Sequence, residues 1–137
     1  MIIDGTHSIL GRVATVAAKK ALEGEKVIII NCEHIVISGT KESVMAKFKQ
    51  QDDRGHPFHG PFMQKMPDRF MRRTIRGMLP YKEGRGSKAY DRVMCYLGTP
   101  ENIKETPVKI ENASVKHLKS KDMVTLKELA AMYGRKI

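Results

Sequence analysis

Along the first third of the chain the apolar residues change their spacing repeatedly, and each change marks an element. Met1-Ile2-Ile3-Asp4 is a short apolar run closed by Gly5 and Thr6, which predicts a strand. From Ile9 to Leu22 the apolar positions recur at helical spacing (Ile9, Leu10, Val13, Ala14, Ala17, Ala21), opposed by Arg12, Lys19 and, just beyond, Glu23. Ser8 stands where an N-cap is expected and Gly24 where a C-terminal glycine is expected. Lys26 to Cys32 then carries four consecutive β-branched residues, Val27-Ile28-Ile29-Ile30. That run does not alternate, so both faces of this strand are predicted buried, as in a parallel strand covered by helices. Strand, helix and strand in about thirty residues form a βαβ unit, for which a right-handed crossover is expected.

Ile35-Val36-Ile37 predicts a further short strand, Ser38-Gly39 a turn, and Thr40 the cap of a helix from about Lys41 to Lys49. Val44, Met45 and Phe48 are that helix's only large apolar residues, so it is predicted to lie on the surface. Residues 52–66 hold two each of Asp, Gly, Pro and His and read as an irregular loop. A helix follows, with Pro67 in its first turn and Asp68 at the positive end of its dipole; Pro80 disfavours its continuation past Leu79. Gly84 and Gly86 predict a flexible loop, Ser87 the cap of a short helix through Arg92, and Val93–Leu97 a second buried strand ended by Gly98-Thr99-Pro100. Residues 107–119 read as extended or irregular. Thr125-Leu126-Lys127-Glu128 is a capping box opening a helix from Leu126 to Tyr133, closed by Gly134. No internal repeat and no low-complexity segment is visible, and 137 residues make about one domain with a real core.

The helix after Pro67 carries the strongest chemical signal. Arg69, Arg72, Arg73 and Arg76 fall at i, i+3, i+4 and i+7, on one face, while Phe70, Met71, Thr74, Ile75 and Met78 fall on the other. A helix divided in this way can dock its apolar side on a protein body and hold four guanidinium groups outward. Guanidinium is planar, permanently charged and able to grip phosphate oxygens with two hydrogen bonds. No carboxylate shares the stripe, so the four charges repel one another unless a polyanion covers them.

Charge distribution supports the same reading. Lys and Arg number 25 against 15 Asp and Glu, a net charge of +10. Residues 1–53 carry 7 basic against 7 acidic groups, residues 54–92 carry 10 against 3, and residues 93–137 carry 8 against 5. A neutral N-terminal body thus bears a basic middle, and such asymmetry marks a site rather than general solubility. Nucleic acid is the partner this predicts. The candidate contacts are Arg12, Lys41, Arg54, His59, Lys65, Arg69, Arg72, Arg73, Arg76, Lys82, Arg85, Lys88 and Arg92.

Other chemistries are poorly supported. Gly5-Thr6-His7-Ser8-Ile9-Leu10-Gly11-Arg12 follows a strand and opens a helix, but five residues separate its glycines and Arg12-Val13 replaces the Lys-Ser/Thr of a phosphate-binding loop. The bland alternative is a tight turn with Gly11 giving close helix–sheet packing. Gly84-Arg85-Gly86-Ser87-Lys88-Ala89 matches a dinucleotide fingerprint in letters only, since it follows no strand. Ser38-Gly39-Thr40-Lys41 reads as a helix cap that can also serve as an anion site. His56-Pro57-Phe58-His59 has no close cysteine or carboxylate that would complete a metal site. Its planar rings in a basic loop suit stacking or hydrogen bonding on RNA better. Cys32 and Cys95 are expected as buried reduced thiols. No catalytic arrangement and no cofactor is predicted. The charge at Asp4 argues against a signal peptide, no apolar run approaches the ~18 residues of a membrane span, and a cytoplasmic location is expected.

Several of these stretches resemble the ribosomal protein L13 family of the large subunit. Its signature has an aliphatic residue, a basic residue, Gly-Met-Leu-Pro, a spacer, Gly, and a strand ending in aromatic-x-Gly. Here these are Ile75-Arg76-Gly77-Met78-Leu79-Pro80, Gly86 and Val93-Met94-Cys95-Tyr96-Leu97-Gly98. Ile9-Leu10-Gly11-Arg12-Val13-Ala14 and the stretch from Asn31 to Gly39 are similar to two further recurrent segments of the family. The close of the chain, Leu126 to Gly134, is similar to the archaeal and eukaryotic branch, and an archaeal source is expected. His56 and His59 have no counterpart in the pattern. The resemblance implies an α/β fold, three-layer α/β/α, with a four-stranded parallel sheet of order 3-2-1-4 and an extended basic helical and loop insertion. Over one domain, residues 1–137, it implies a basic RNA-binding segment at 54–92 and a C-terminal extension at 107–137. It further implies a structural role in the large (50S) subunit, supporting assembly and translation. The implied partners are 23S rRNA and neighbouring large-subunit proteins, with no membrane, no small-molecule substrate, no metal and no homo-oligomer. Two alternatives stay open on sequence grounds: a nucleotide-binding enzyme using the Gly5–Gly11 turn, and a regulator that binds messenger RNA outside the ribosome.

Overall fold

Three parallel strands carry the core of the structure, a computed structural model that describes residues 1–134. In chain order the elements are β1 (Ile2–Asp4), α1 (Leu10–Leu22), β2 (Val27–Ile30), β3 (Val36–Ser38), α2 (Lys41–Asp53), α3 (Pro67–Gly77), α4 (Gly84–Asp91), β4 (Val93–Cys95), β5 (Met123–Thr125) and α5 (Leu126–Met132). The parallel sheet has the order β1-β2-β4, with Ile3 opposite Ile29 and Ile29 opposite Cys95. Ile3, Val27, Ile29, Val93 and Cys95 are buried and pack in one cluster with Val13, Ala14 and Ala17 of α1 and Met71 and Ile75 of α3. The opposite face carries Ile2, Ile28 and Met94. Met94 is 37% exposed, so the predicted burial of that whole segment holds on one face only. Residues 102–105 border Ile2 and Ile28 on this side.

The expected four-stranded parallel sheet is not what forms. Only residues 31–35 separate β2 from β3, whereas a parallel neighbour needs a crossover of roughly a dozen residues or more. The chain instead makes a 3-10 turn at Cys32–His34, and β3 pairs antiparallel with β5 in a separate two-stranded sheet, Ile37 opposite Val124. The free edge of β1 is met by a single residue from the C-terminal part. Val108 donates its N–H to the Ile2 carbonyl at 2.8 Å and accepts from the Asp4 N–H at 3.0 Å.

Several local expectations also change. Ser8 does not cap α1: its hydroxyl donates to the Thr6 carbonyl, its backbone bridges Ser114, and Ile9 is the N-cap. The close packing assigned to Gly11 belongs to Gly5. A Cβ on Gly5 would stand 2.7 Å from Ile35, whereas one on Gly11 would meet nothing within 4 Å. Thr40 caps α2 as expected, accepting from Ser43 N–H at 3.2 Å, but the helix runs a turn longer, to Asp53. The predicted glycine loop is helical. α4 begins at Gly84, with Glu83 as N-cap and Ser87 inside the helix. The capping box at Thr125 and Glu128 is formed on both sides, and Gly134 adopts φ +76° after α5.

The stretches that resemble the family signature meet in space. Asn31 N–H donates to the Gly98 carbonyl at 3.0 Å, and Gly98 N–H donates to the Glu33 carboxylate at 3.0 Å. Gly86 lies against Pro80: a Cβ there would overlap the Pro80 carbonyl and stand 2.8 Å from the Tyr81 nitrogen. The Gly-Met-Leu-Pro turn and the start of α4 therefore touch backbone to backbone. Gly86→Ala is expected to lower stability by about 3 kcal/mol, as forced overpacking does, while Gly84→Ala, which meets open space, stays within about 0.5 kcal/mol. Urea unfolding of the two variants measures the difference.

Asp4 joins β1 to the following turn. Its Oδ1 accepts from Thr6 N–H at 3.0 Å, from the Thr6 hydroxyl at 2.7 Å and from Asn31 Nδ2 at 3.1 Å. Burial raises its pKa, but the hydrogen bonds from Asn31 and Thr6, helped by Lys109, outweigh burial and leave the carboxyl below the usual aspartate value. A depressed folded value means that the stabilisation is complete above the unfolded value and is lost as pH falls through the folded one. Asp4→Asn is accordingly expected to flatten the acid side of a plot of Tm against pH, below about pH 4.

Candidate nucleic-acid interface

Pro67 at the first position of α3 supplies a pre-set φ where an N–H would in any case lack a helical partner, and Asp68 follows in the first turn. The apolar side of α3 docks against α1 and β4 through Phe70, Met71 and Ile75, the last two with no exposed surface. Met78, expected on that side, is 43% exposed just past the helix end, and Leu79 is buried in its place. Phe70 also meets Phe48 of α2 edge to face at 4.9 Å, which fixes α2 beside α3.

The four arginines converge as the periodicity predicts. Arg69, Arg72, Arg73 and Arg76 line one groove of about 490 Å³ with Pro61, Phe62, Gln64 and Tyr90. They are not equivalent. Arg72 is half-buried, its guanidinium 4.4 Å from the Tyr90 ring centre. Its Nε donates to the Val93 carbonyl at 3.0 Å and its Nη2 to the Tyr90 carbonyl at 3.4 Å. Arg69 donates to Gln64 Oε1 at 3.3 Å, and Arg76 lies 5.1 Å from the Tyr81 ring centre. Arg73 makes no side-chain hydrogen bond or ion pair among the described residues, and it reaches a second groove on the far side of α3. There it joins Lys47, Gln51 and Arg54 of the α2 side over Phe48, Met63 and Phe70.

The remaining predicted residues divide between this region and others. Arg85, Lys88 and Arg92 line a separate cleft at the C-terminal end of α1, beside Glu23 and Gly24. Arg92 Nη1 donates to the Ala21 carbonyl at 2.9 Å, at the negative end of that helix. Lys65 pairs with Asp52 at 3.7 Å and lies 5.0 Å from the Tyr133 ring centre. Arg12 donates to the Asn112 carbonyl at 2.6 Å, and Lys82 is exposed in the turn before α4. Lys41 opens α2 at the end opposite Arg54, about 20 Å away at 1.5 Å per residue. His59 is exposed in the 56–60 turn, its ring 5.0 Å from that of His56.

Sequence reading missed Lys47, although Lys47, Gln51 and Arg54 stand at i, i+4 and i+7 and could have been found by their spacing. It also missed Tyr90, for which there was no local signal, because its partner Arg72 lies 18 positions earlier.

Two other chemistries find no geometry to use. In the Gly5–Ile9 turn the amides are committed within the protein: Gly5 to Ile30, Thr6 to Asp4, His7 to His34, Ser8 to Gly5 and Ile9 to Ala113. A loop with its N–H groups turned inward does not cradle phosphate. Cys32 and Cys95 are buried and unbridged, and the Cys32 thiol is pushed up by its hydrogen bond with Cys95 and by burial, away from the reactive thiolate form.

Arg72→Gln is expected to lower stability by about 1–2 kcal/mol, since a shorter amide leaves the Tyr90 and Val93 carbonyls short of a donor. Arg73→Gln should leave the thermal midpoint unchanged. Calorimetry on both variants separates the bracing arginine from the one that has no hydrogen-bond partner among the described residues.

Known proteins of similar sequence share one description. A family profile described as ribosomal protein L13 matches residues 1–102. A protein of Methanopyrus kandleri named large ribosomal subunit protein uL13 is 39% identical over 136 residues, 97% of this chain and 86% of its own length. A protein of the same name from Methanosarcina barkeri is 39% identical and covers 98% of both chains, and one from Natronomonas pharaonis is 36% identical over all of this chain and 92% of its own.

Proposed function

This chain belongs to the ribosomal protein L13 family, and on that premise we propose that it grips 23S rRNA through the groove where Arg69, Arg72, Arg73 and Arg76 converge. Its role is that of a structural constituent of the large ribosomal subunit. It supports assembly and translation by binding and catalyses no reaction. In this reading residues 1–137 act as one L13-type domain, with 54–92 facing RNA and 107–137 as a C-terminal extension whose last three residues lie outside the described ones. The remaining partners are neighbouring large-subunit proteins, and the location is the cytoplasmic ribosome.

The observation that carries the proposal is the convergence of four permanent cations in one open groove, with no carboxylate paired to any of them among the described residues. Folded RNA brings phosphates together and needs fixed cations to offset their repulsion; a docked helix supplies these in set geometry. The contacts are to phosphates and 2′-hydroxyls, because side chains do not reach base edges in the deep groove of A-form RNA. In this reading Arg54 and Lys82, exposed on neighbouring elements, extend the contact, Arg85, Lys88 and Arg92 offer a second point of contact in their own cleft, and Arg12, Lys41, His59 and Lys65 are further contacts outside the arginine groove.

Replacing Arg73 and Arg76 with Gln is expected to weaken binding to 23S rRNA and to reduce the slope of log K against log salt by roughly one unit for each phosphate that is no longer neutralised. Filter binding across a salt series measures this, and an unchanged slope at unchanged affinity would exclude phosphate contact by these side chains. Sedimentation of the native protein gives an independent check: it should co-migrate with the 50S fraction, and a large free pool would count against the ribosomal role.

A further inference from the structure

The segment between α2 and α3 displays aromatic rings to solvent in a fixed turn. His56 and Gly60 exchange both backbone hydrogen bonds, each at 2.8 Å, which closes a tip of Pro57, Phe58 and His59. Phe58 N–H donates to His56 Nδ1 at 3.1 Å, fixing that imidazole against the turn. The His56 ring is 5.8 Å from that of Phe58 and 5.0 Å from that of His59. Phe58 is nevertheless 84% exposed, and Phe62, two residues beyond the turn, is 67% exposed. They are the most exposed large apolar side chains of the described structure. The turn is held tightly at its base: a Cβ on Gly55 would overlap the Pro61 carbonyl.

We propose that Phe58 and Phe62, with His56 and His59, form a stacking platform for unpaired RNA bases beside the phosphate-gripping arginines. This rests on the rRNA-binding reading above and adds what the arginines cannot supply, a way of recognising single-stranded nucleotides. Charge and position favour a base over an apolar protein side chain as the occupant. Phe62 lines the arginine groove itself, together with Arg69 and Arg73, and it lines the adjoining hollow of about 680 Å³ with His56 and Arg69. A strand whose phosphates lie on the arginines therefore has the Phe62 ring at the groove and His56 in the adjoining hollow, with the Phe58 ring 5.8 Å beyond His56. From Arg54 to Pro67 the chain contains no acidic residue; of the two carboxylates that line the hollow, Asp52 is paired with Lys65 at 3.7 Å and Asp68 lies in the first turn of α3 beside Arg69. Stacking accepts every base, because each has a π face, and it needs an exposed ring held at fixed orientation.

The chain has no tryptophan, so an introduced indole reports alone. Phe58→Trp and Phe62→Trp in the full chain, titrated with a mixed-sequence single-stranded oligoribonucleotide, are expected to keep wild-type affinity and to show quenched emission. The same strand annealed to its complement should give little quenching. Phe58→Ala and Phe62→Ala should each weaken single-strand binding about tenfold with an unchanged salt slope, and Phe→Leu should behave like Phe→Ala because it keeps the apolar surface but loses the plane. Both rings are exposed, so the thermal midpoint should stay at the wild-type value. Absence of quenching, or full affinity in the Leu variants, overturns the platform. So does loss of incorporation into 50S particles with RNA affinity unchanged, which would assign the rings to a protein neighbour. If the Arg73 and Arg76 variants flatten the salt slope while the Phe variants do nothing, the platform fails and the phosphate grip stands. If neither set has an effect, both fail.

Discussion

Everything that the basic surface does depends on how firmly α3 is held. Met71 and Ile75 are fully buried against α1 and the sheet, and Phe70 and Leu79 nearly so. Burying such side chains contributes about 1.5–3 kcal/mol each, which offsets the mutual repulsion of four guanidinium groups carried on the opposite side. The docking also sets direction. A helix pinned along one face cannot rotate to relieve that repulsion, so the arginines stay aimed into one groove. The Phe48–Phe70 edge contact extends the same constraint to α2 and brings Lys47 and Arg54 alongside Arg73.

Within that frame the cations differ in their attachment to the protein. Arg72 and Arg92 each bind a backbone carbonyl across the fold, Arg72 joining α3 to the start of β4 and Arg92 closing the end of α1. Lys65 faces Asp52, and Arg12 holds the C-terminal segment at Asn112. Such residues combine bracing with charge, and their removal acts on the fold as well as on any ligand. Arg73 and Arg76, by contrast, have no hydrogen-bond acceptor or carboxylate partner among the described residues. A surface assembled from both kinds is braced where its arginines are tied to backbone and leaves cations without protein partners elsewhere. The 56–62 segment adds rings where the stripe has only charge.

The signature glycines and proline also acquire physical roles. Gly86 is where the start of α4 touches the Pro80 backbone, and Gly98 is where the end of the β4 segment accepts from Asn31 and donates to Glu33. The Gly98 contacts join two stretches some sixty-five residues apart, whereas the Gly86 contact closes the turn between α3 and α4. The C-terminal part is sewn to the same body by backbone hydrogen bonds at Val108, Ala113 and Val115.

Whatever depends on near neighbours was legible in the amino-acid order. The βαβ start, the α3 stripe, the Thr40 cap and the Thr125–Glu128 capping box follow from spacing within one or two turns, and all are formed. The start of α1, Ile9 to Ala14, is also among the stretches that resembled the family, since such motifs are local too. Whatever depends on distant partners was settled by folding. β3 leaves the parallel sheet because its partner, β5, lies some ninety residues further on, and no local pattern announces that pairing. Gly84–Ser87 is helix rather than loop because Gly86 can sit on Pro80, and Ser8 loses its capping role to a bridge with Ser114. The same holds for the site. Periodicity placed four arginines on one face, but only the packed fold could show that Arg72 is tied to Tyr90 and Val93 while Arg73 faces two grooves. Local rules fix where a side chain points from its own helix; what it meets there is fixed by residues that only folding brings near.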